Sequence, residues 1–129
     1  MSDAPLDGAG RKGRANRKGR SGEESARRYL SDSGWSVIGS NFRTRRGEID
    51  IIAVKADLIA FFEVKNWDYC PIEDLERAID ARKRGRIVET SQIFLDRHRQ
   101  YKGAHVRYDV LFISDDGASI RHFESAFTE

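Results

Sequence analysis

Two apolar stretches in the middle of the chain form the clearest pattern in this sequence. Residues 49–55 and 58–65 are rich in Ile, Val and Phe, and only Ala56 and Asp57 separate them. The pattern predicts two antiparallel strands joined by a two-residue turn. Apolar residues occur on both faces of each strand, so we expect this hairpin to lie in the centre of a sheet that is covered on both sides.

The flanking segments predict helices and further strands. Ser21 to Glu24 has the pattern of a capping box, so a first helix is expected to begin at Ser21 and to end at Gly34. Gly85 is a candidate kink within a second, longer helix. The remaining elements are predicted at residues 35–42 (strand), about 72–97 (helix), 106–114 (strand), 115–117 (turn) and 119–127 (edge strand).

Charged residues interrupt the apolar hairpin at Glu48, Asp50, Glu63 and Lys65. With a two-residue turn, paired positions sum to 113, so Asp50 faces Glu63 and Glu48 faces Lys65 on one face of the sheet. Two opposed carboxylates repel each other and call for a cation between them, and a hard divalent metal fits best. The alternative is a solvated face on an exposed hairpin, with Lys65 paired to Glu48. The apolar surroundings favour a site.

Composition limits the classes of protein. The 129 residues form one domain, which we place at residues 21–129. A single cysteine, Cys70, excludes an internal disulfide, and the three histidines show no zinc-binding spacing. No apolar run reaches membrane-spanning length and no secretory signal is present, so we expect a cytoplasmic protein without a membrane partner.

The first 20 residues form a basic, glycine-rich tail. It carries a charge of +4, against −2 for the rest of the chain. Such a segment cannot build a core, so we expect it to be disordered when free. It either attracts the phosphate backbone of a nucleic acid or acts only as a solubilising tail, and the sequence favours neither.

Further basic residues lie near the predicted hairpin and in the second helix. Arg43, Arg45 and Arg46 precede the acidic strand, and they either clamp phosphate or are simply solvated. The helix has a second basic run, at Arg82, Lys83, Arg84 and Arg86. Glu23 lies on the inward side of the first helix, where it serves either as a favourable charge at the N-terminus or as a catalytic group.

The predicted order of elements, with an acid on the second strand and Glu-x-Lys on the third, resembles the PD-(D/E)xK nuclease superfamily. The chain is more closely similar to the YraN family of small endonuclease-like proteins, which is related to archaeal Holliday junction resolvases. The resemblance covers nearly everything after the tail. It rests on Gly22-Glu23, Ala26, Tyr29-Leu30, Gly34, Asn41, Arg43, Gly47-Glu48-Ile49-Asp50, Glu63-Val64-Lys65, Lys83, Arg86-Ile87, Phe94-Leu95, Arg107, Asp109-Val110 and Ala126-Phe127.

This resemblance implies an α/β fold with a restriction-endonuclease-like αβββαβ core: a mixed central sheet flanked by helices, here with an extra C-terminal strand. It also implies metal-dependent hydrolysis of a phosphodiester bond. Asp50, Glu63 and the carbonyl of Val64 would hold Mg²⁺ or Mn²⁺, and Lys65 would orient the attacking water. Glu23 would add an outer-shell or second-metal contact.

Other implied roles concern the substrate. Lys83 and Arg86 would hold its backbone, as would Arg43 and Arg45, and DNA is favoured as the partner over RNA. Asn66-Trp67 departs from the basic or hydroxyl-bearing pair that usually follows Glu-Val-Lys; Trp67 would either stack on an unpaired base or lie in the core. A homodimer is one arrangement that a resolvase allows. The alternative function is a nucleic-acid-binding or scaffolding module that keeps the fold with little catalysis.

Overall fold

A computed structural model describes residues 17–66, 80–114 and 119–128 of the chain. The elements are α1 (Arg17–Asp32), β1 (Ser36–Arg43), β2 (Glu48–Lys55), β3 (Leu58–Asn66), α2 (Ala81–Arg97), β4 (His105–Ile113) and β5 (Ile120–Phe127), with a 3-10 turn at Arg99–Tyr101. This order confirms the predicted one. The predictions for residues 1–16, for Trp67, Cys70 and the helix before residue 80, and for the turn at 115–117 lie outside the described residues.

The strands form a single sheet in the order β1-β2-β3-β4-β5. β3 and β4 are parallel, and the other neighbouring pairs are antiparallel. A parallel pair needs a crossover connection, and α2 lies in that connection. The sheet is therefore mixed and flanked by helices, which is the predicted α/β architecture with a restriction-endonuclease-like core and an additional C-terminal strand.

The two faces of the sheet carry separate apolar clusters, as expected for strands that are apolar on both sides. The α1 face is packed by Ala26, Leu30, Trp35, Ile51, Ala53, Ala60, Phe62, Leu111 and Ile113. The α2 face is packed by Phe42, Ile49, Ile52, Ile59, Phe61, Ile87, Phe94, Tyr108, Val110, Phe112 and Phe127. Neither helix in the described part of the chain is long and apolar enough to cross a membrane.

Helix α1 begins at Arg17, so the predicted start at Ser21 was wrong. Arg and Lys are good helix formers, and they carry the helix one turn into the basic segment. The predicted end is confirmed: Gly34 has φ +94, and the N–H groups of Gly34 and Trp35 donate to the carbonyls of Ser31 and Leu30. This Schellman arrangement favours glycine, because other residues rarely adopt positive φ.

Helix α2 begins at Ala81, within the stretch that periodicity assigns to one helix from about residue 72. Asp80 has an extended backbone, and its carboxylate accepts the N–H of Lys83 at 2.9 Å. This N-cap starts a new helix, so a single helix over 72–97 was wrong. The helix continues through Gly85, which neither splits nor ends it. The cap also fixes the first turn, and with it the position of Lys83.

The central hairpin has the predicted register. Pairs from Lys55–Leu58 to Ile51–Phe62 all sum to 113, and Ala56 in the turn has φ 55. The recorded ladder ends at the Ile51–Phe62 pair. Beyond it the charged residues begin, so the backbone pairing stops where the candidate site starts.

Candidate active site

Where the β2–β3 ladder ends, the carboxylate of Asp50 accepts a backbone N–H of β3 in place of a backbone carbonyl. Asp50 is partly buried, and its Oδ2 accepts the N–H of Val64 at 2.8 Å. Asp50 and Glu63 are the next residues beyond the last ladder pair, and they are close enough for the charge of Glu63 to raise the pKa of Asp50. The sequence predicted this juxtaposition, and the side-chain bond to Val64 shows how the sheet accommodates it.

Glu63 is the buried acid of this site. Its side chain is only 7% exposed, and its Oε2 lies 2.7 Å from Nζ of Lys83 and 3.5 Å from Nζ of Lys65. Lys83 comes from the first turn of α2, whereas Lys65 follows Glu63 on β3. A buried carboxylate requires a partner of opposite charge, and here it has two.

The electrostatics of the site set Asp50 apart. Burial raises the pKa of Asp50 well above its ordinary value, and the charge of Glu63 raises it further, as do Glu23 and Glu48. The N–H of Val64 acts in the opposite direction and is outweighed. Four carboxylates therefore influence one another here, and added positive charge would stabilise their ionised forms.

The surroundings of Lys83 favour its charged form. Burial alone would lower the pKa of its ammonium group, but the charge of Glu63 and its hydrogen bond dominate together and raise the pKa above the ordinary 10.5. The lysine side chain is 40% exposed, so it lies between Glu63 and solvent. Lys83 was predicted to contact the substrate backbone; the structure places it directly on the predicted metal ligand.

Glu23 reaches the same region from α1. Its Oε1 accepts Nδ2–H of Asn41 at 3.1 Å, and Asn41 lies between Ser40 and Phe42, which pair with Ile51 and Ile49 on either side of Asp50. Asn41 has φ 53, a left-handed conformation that asparagine tolerates better than most residues. The structure thus brings Glu23 close to Asp50, with Asn41 holding its carboxylate.

Glu48 does not face Lys65. The β2–β3 ladder has ended at Ile51, and Glu48 instead pairs with Arg43 of β1, with Nε of Arg43 3.2 Å from Oε2 of Glu48. The predicted Glu48–Lys65 pair is therefore not formed: the ladder ends before it, and Lys65 forms its ion pair with Glu63. Arg43, one of the predicted substrate contacts, lies at the surface and takes part in this ion pair.

The basic loop between β1 and β2 is docked on α2. A Cβ added to Gly47 would lie 3.1 Å from Cβ of Arg86 and 3.2 Å from Oγ1 of Thr90, so this close approach favours glycine. The turn is closed by the N–H of Thr44, which donates to the carbonyl of Gly47 at 2.8 Å. On the same loop, Nη1 of Arg46 lies 3.9 Å from Oε1 of Glu89 on the helix, and the side chains of Arg45, Arg46 and Arg86 are exposed.

The donor set fits a hard divalent cation. Within residues 17–66, 80–114 and 119–128, no three His, Cys, Asp or Glu side chains are grouped as a ready-made metal centre. Two carboxylates and a carbonyl, from Asp50, Glu63 and Val64, nevertheless match the demand of Mg²⁺, which keeps several waters and needs few protein ligands. The surplus of acids around Asp50 is the observation that calls for such an ion.

A second buried polar network, between β4, β5 and α1, was not predicted. Asp109 is fully buried and accepts from Nε and Nη2 of Arg107 at 2.9 and 2.8 Å. It also accepts the N–H of Ser125 at 3.0 Å and lies 2.8 Å from Nε2 of His122, whose Nδ1 is 3.0 Å from the hydroxyl of Tyr29. His122 is one of the three histidines without zinc-binding spacing, and its position in the sequence did not indicate this structural role.

The sequence carried one signal for this network. Arg107 and Asp109 lie two apart on a strand and so share a face. Their partners His122 and Ser125 on β5 could not be predicted from spacing. The β4–β5 register shifts after Tyr108, before Val110, and Ser125 has φ 52. A bulge of this kind re-aims side chains and backbone donors.

Fold and site together define the class: an α/β protein with a restriction-endonuclease-like core that groups two carboxylates and a lysine at the end of its central hairpin. The model of the Uncharacterised protein family UPF0102 matches residues 22–113, and the chain belongs to this family, which is the YraN family. The predicted family is therefore confirmed.

Relatives in this family align along most of the chain. The UPF0102 protein of Rhodopseudomonas palustris (strain ATCC BAA-98 / CGA009) is 36% identical over 113 residues, covering 88% of this chain and 85% of the relative. That of Persephonella marina is 38% identical over 110 residues, covering 85% and 92%. That of Treponema pallidum (strain Nichols) is 37% identical over 113 residues, covering 84% and 90%.

Proposed function

We propose that this chain is a divalent-metal-dependent nuclease that hydrolyses phosphodiester bonds in DNA, with branched or junction DNA within its substrate range. The observation that carries the proposal is the meeting of Asp50 and Glu63 where the β2–β3 ladder ends, with Lys65 against Glu63. A sheet gains nothing from opposed carboxylates in its centre, so a ligand-dependent role accounts for them better than stability does.

The grouping of oxygen donors supports one choice of metal ligands. Asp50, Glu63 and the carbonyl of Val64 would hold Mg²⁺ or Mn²⁺, which lowers the pKa of a bound water and neutralises charge on the phosphate. Lys65 is 26% exposed, so its ammonium group can face a substrate while it remains close to Glu63. In that position it orients the water and stabilises negative charge as it develops on the phosphate oxygens. Glu23, held by Asn41, supports the acidic side of the site.

Exposed cations around the site supply the affinity for a phosphate backbone. Arg45 and Arg46 on the docked loop and Arg86 on α2 form a basic rim beside the acids, and Arg43 adds to it at the end of β1. Contacts of this kind give affinity without base specificity and weaken as salt increases.

A non-catalytic nucleic-acid-binding module is the second candidate, and one observation favours it. In this structure the two lysines next to Glu63 already compensate its charge. A protein of this kind would bind DNA through the basic rim in a salt-dependent manner without cutting it.

The test is a cleavage assay. Purified protein is incubated with Mg²⁺ or Mn²⁺ and with labelled junction, flap, duplex and single-stranded DNA, with RNA counterparts as comparison. We expect cleavage that a chelator abolishes and that Asp50→Ala and Lys65→Ala each reduce by at least about a hundredfold. Asp96→Ala, on the exposed side of α2, is the matched control and should retain full activity. Salt-dependent binding without cleavage of any substrate would favour the non-catalytic module.

A further inference from the structure

The shortest ion pair recorded at the site joins Glu63 to a residue outside the strand motif. Nζ of Lys83 lies 2.7 Å from Oε2 of Glu63, closer than Nζ of Lys65 at 3.5 Å. The carboxylate of Glu63 is one that the proposed metal ion would use. A lysine ammonium group and a divalent ion would therefore compete for the same acceptor, because both need its negative charge at short range.

We propose that Lys83 is a built-in cation that occupies Glu63 in the metal-free protein and has to release it when a divalent ion binds. The inference rests on the proposed function, since it takes Glu63 as a metal ligand. It assigns Lys83 a regulatory role at the site, in addition to the substrate contact that the family resemblance implies.

The positions of the two lysines indicate which one leaves. Lys65 extends from β3 and its side chain is 26% exposed, whereas Lys83 is 40% exposed on the first turn of a helix. The first turn is held by the Asp80 cap through the backbone N–H of Lys83, not through its side chain. The four-carbon stem of Lys83 can consequently swing towards solvent without disturbing the helix.

The charge of the site gives the release a direction. A divalent ion bound at Glu63 would lie close to the ammonium group of Lys83 and repel it, so this ammonium group moves outward. The outward side also carries the exposed Arg86, where a phosphate backbone would bind. The ammonium group released from Glu63 is then available to a substrate phosphate, which couples metal binding to substrate binding.

Calorimetric titration of Mn²⁺ into the chelator-treated full chain, without DNA, tests this competition. The proteins are the wild type, Lys83→Gln, Arg82→Gln and Glu63→Gln. Arg82 is the matched control, because it lies on the same turn, carries the same charge and is exposed. We expect Lys83→Gln to bind Mn²⁺ at least about tenfold more tightly than the wild type or Arg82→Gln, because the competing cation is gone. Glu63→Gln should lose the site.

Two other outcomes overturn the proposal and can be told apart. If the wild type binds Mn²⁺ and Lys83→Gln binds it equally or more weakly, Lys83 does not compete with the metal. The nuclease proposal is unaffected by that result. No Mn²⁺ binding by the wild type, Lys83→Gln or Arg82→Gln removes the metal site itself, and the competition with it.

A measurement on the wild type avoids dependence on the variant. In ¹⁵N-lysine NMR spectra, the hydrogen-bonded Nζ–H of Lys83 should be visible without metal, with its assignment taken from Lys83→Arg. Addition of diamagnetic Mg²⁺ should shift that signal or broaden it until it disappears. The backbone amide spectrum should keep the dispersion of a folded protein. An unchanged Lys83 signal at saturating Mg²⁺ would contradict the release.

Discussion

Two aspartates on the same sheet, Asp50 and Asp109, have opposite electrostatic surroundings. Burial and the nearby acids Glu63, Glu23 and Glu48 raise the pKa of Asp50, against a single backbone N–H that lowers it. Burial also acts to raise the pKa of Asp109, but hydrogen bonds from His122, Arg107 and Ser125 outweigh it and hold the pKa below its ordinary value.

The difference separates the structural acid Asp109 from Asp50, the acid of the proposed metal site. Asp109 has all the donors that a buried carboxylate needs, so its network links β4, β5 and α1 and stabilises the fold. Asp50 is left next to further negative charge, an arrangement that costs stability unless a cation binds. A strongly perturbed acid in the company of other acids is a mark of a functional site.

Replacement of Asp109 should give the largest loss of stability. Asp109→Asn leaves the guanidinium group of Arg107, which is 20% exposed, without its bidentate partner. Breaking a buried ion pair in this way is expected to lower the free energy of unfolding by about 3 kcal/mol. Urea unfolding followed by circular dichroism measures it, with the exposed Asp96→Asn as the matched control. A loss for Asp109→Asn no greater than that of the control would contradict the structural role.

The stabilisation by Asp109 should also depend on pH. A carboxyl whose pKa is lower in the folded than in the unfolded chain stabilises the fold fully at pH values above the unfolded pKa, near the ordinary 3.8. The contribution is lost as the pH falls from there through the lower folded-state pKa. We therefore expect the difference in unfolding free energy between wild type and Asp109→Asn to be constant near neutral pH and to shrink below pH 3.8. A difference that grows on acidification would have the wrong sign.

A smaller loss is expected at the far end of the same network. Tyr29→Phe removes one hydroxyl, which lies 3.0 Å from Nδ1 of His122, and leaves the ring in place. One hydrogen bond of this kind is worth about 1 kcal/mol of unfolding free energy. The same urea titration tests it, and combination with Asp109→Asn in a double-mutant cycle should give less than the sum of the two losses. Full additivity would show that Tyr29 is not coupled to Asp109.

The hairpin was predictable in detail because its information is local. Apolar runs on either side of two turn residues fix the register, and period-two alternation then places Asp50 and Glu63 together. The helix ends illustrate a different case. Gly34 could be recognised as the end of α1. The N-cap of α2 at Asp80 could not, since an aspartate within a periodic stretch also fits the interior of a helix.

Contacts between distant elements were out of reach of the sequence. That Lys83 meets Glu63, and not only solvent, depends on how α2 lies across the sheet, which no spacing in the chain records. The error over Glu48 has a related origin: extending the hairpin register was sound only as far as the strands remain paired, and they separate after Ile51. The grouping of Asp50, Glu63 and Lys65 was therefore predictable from the sequence, whereas the contact of Lys83 with Glu63 was not.

The most direct test of the account compares urea unfolding of the wild type, Asp50→Asn and Asp109→Asn at neutral pH, first with chelator and then with Mn²⁺. Without metal, Asp50→Asn should be as stable as the wild type or up to about 1 kcal/mol more stable, because a carboxylate held among acids is replaced by a neutral group. Mn²⁺ at about a hundred times its dissociation constant should stabilise the wild type and Asp109→Asn by about 2.7 kcal/mol and leave Asp50→Asn unchanged. A loss in Asp50→Asn as large as that in Asp109→Asn, together with equal stabilisation of all three proteins by Mn²⁺, would contradict the assignment of Asp50 to a metal-dependent site.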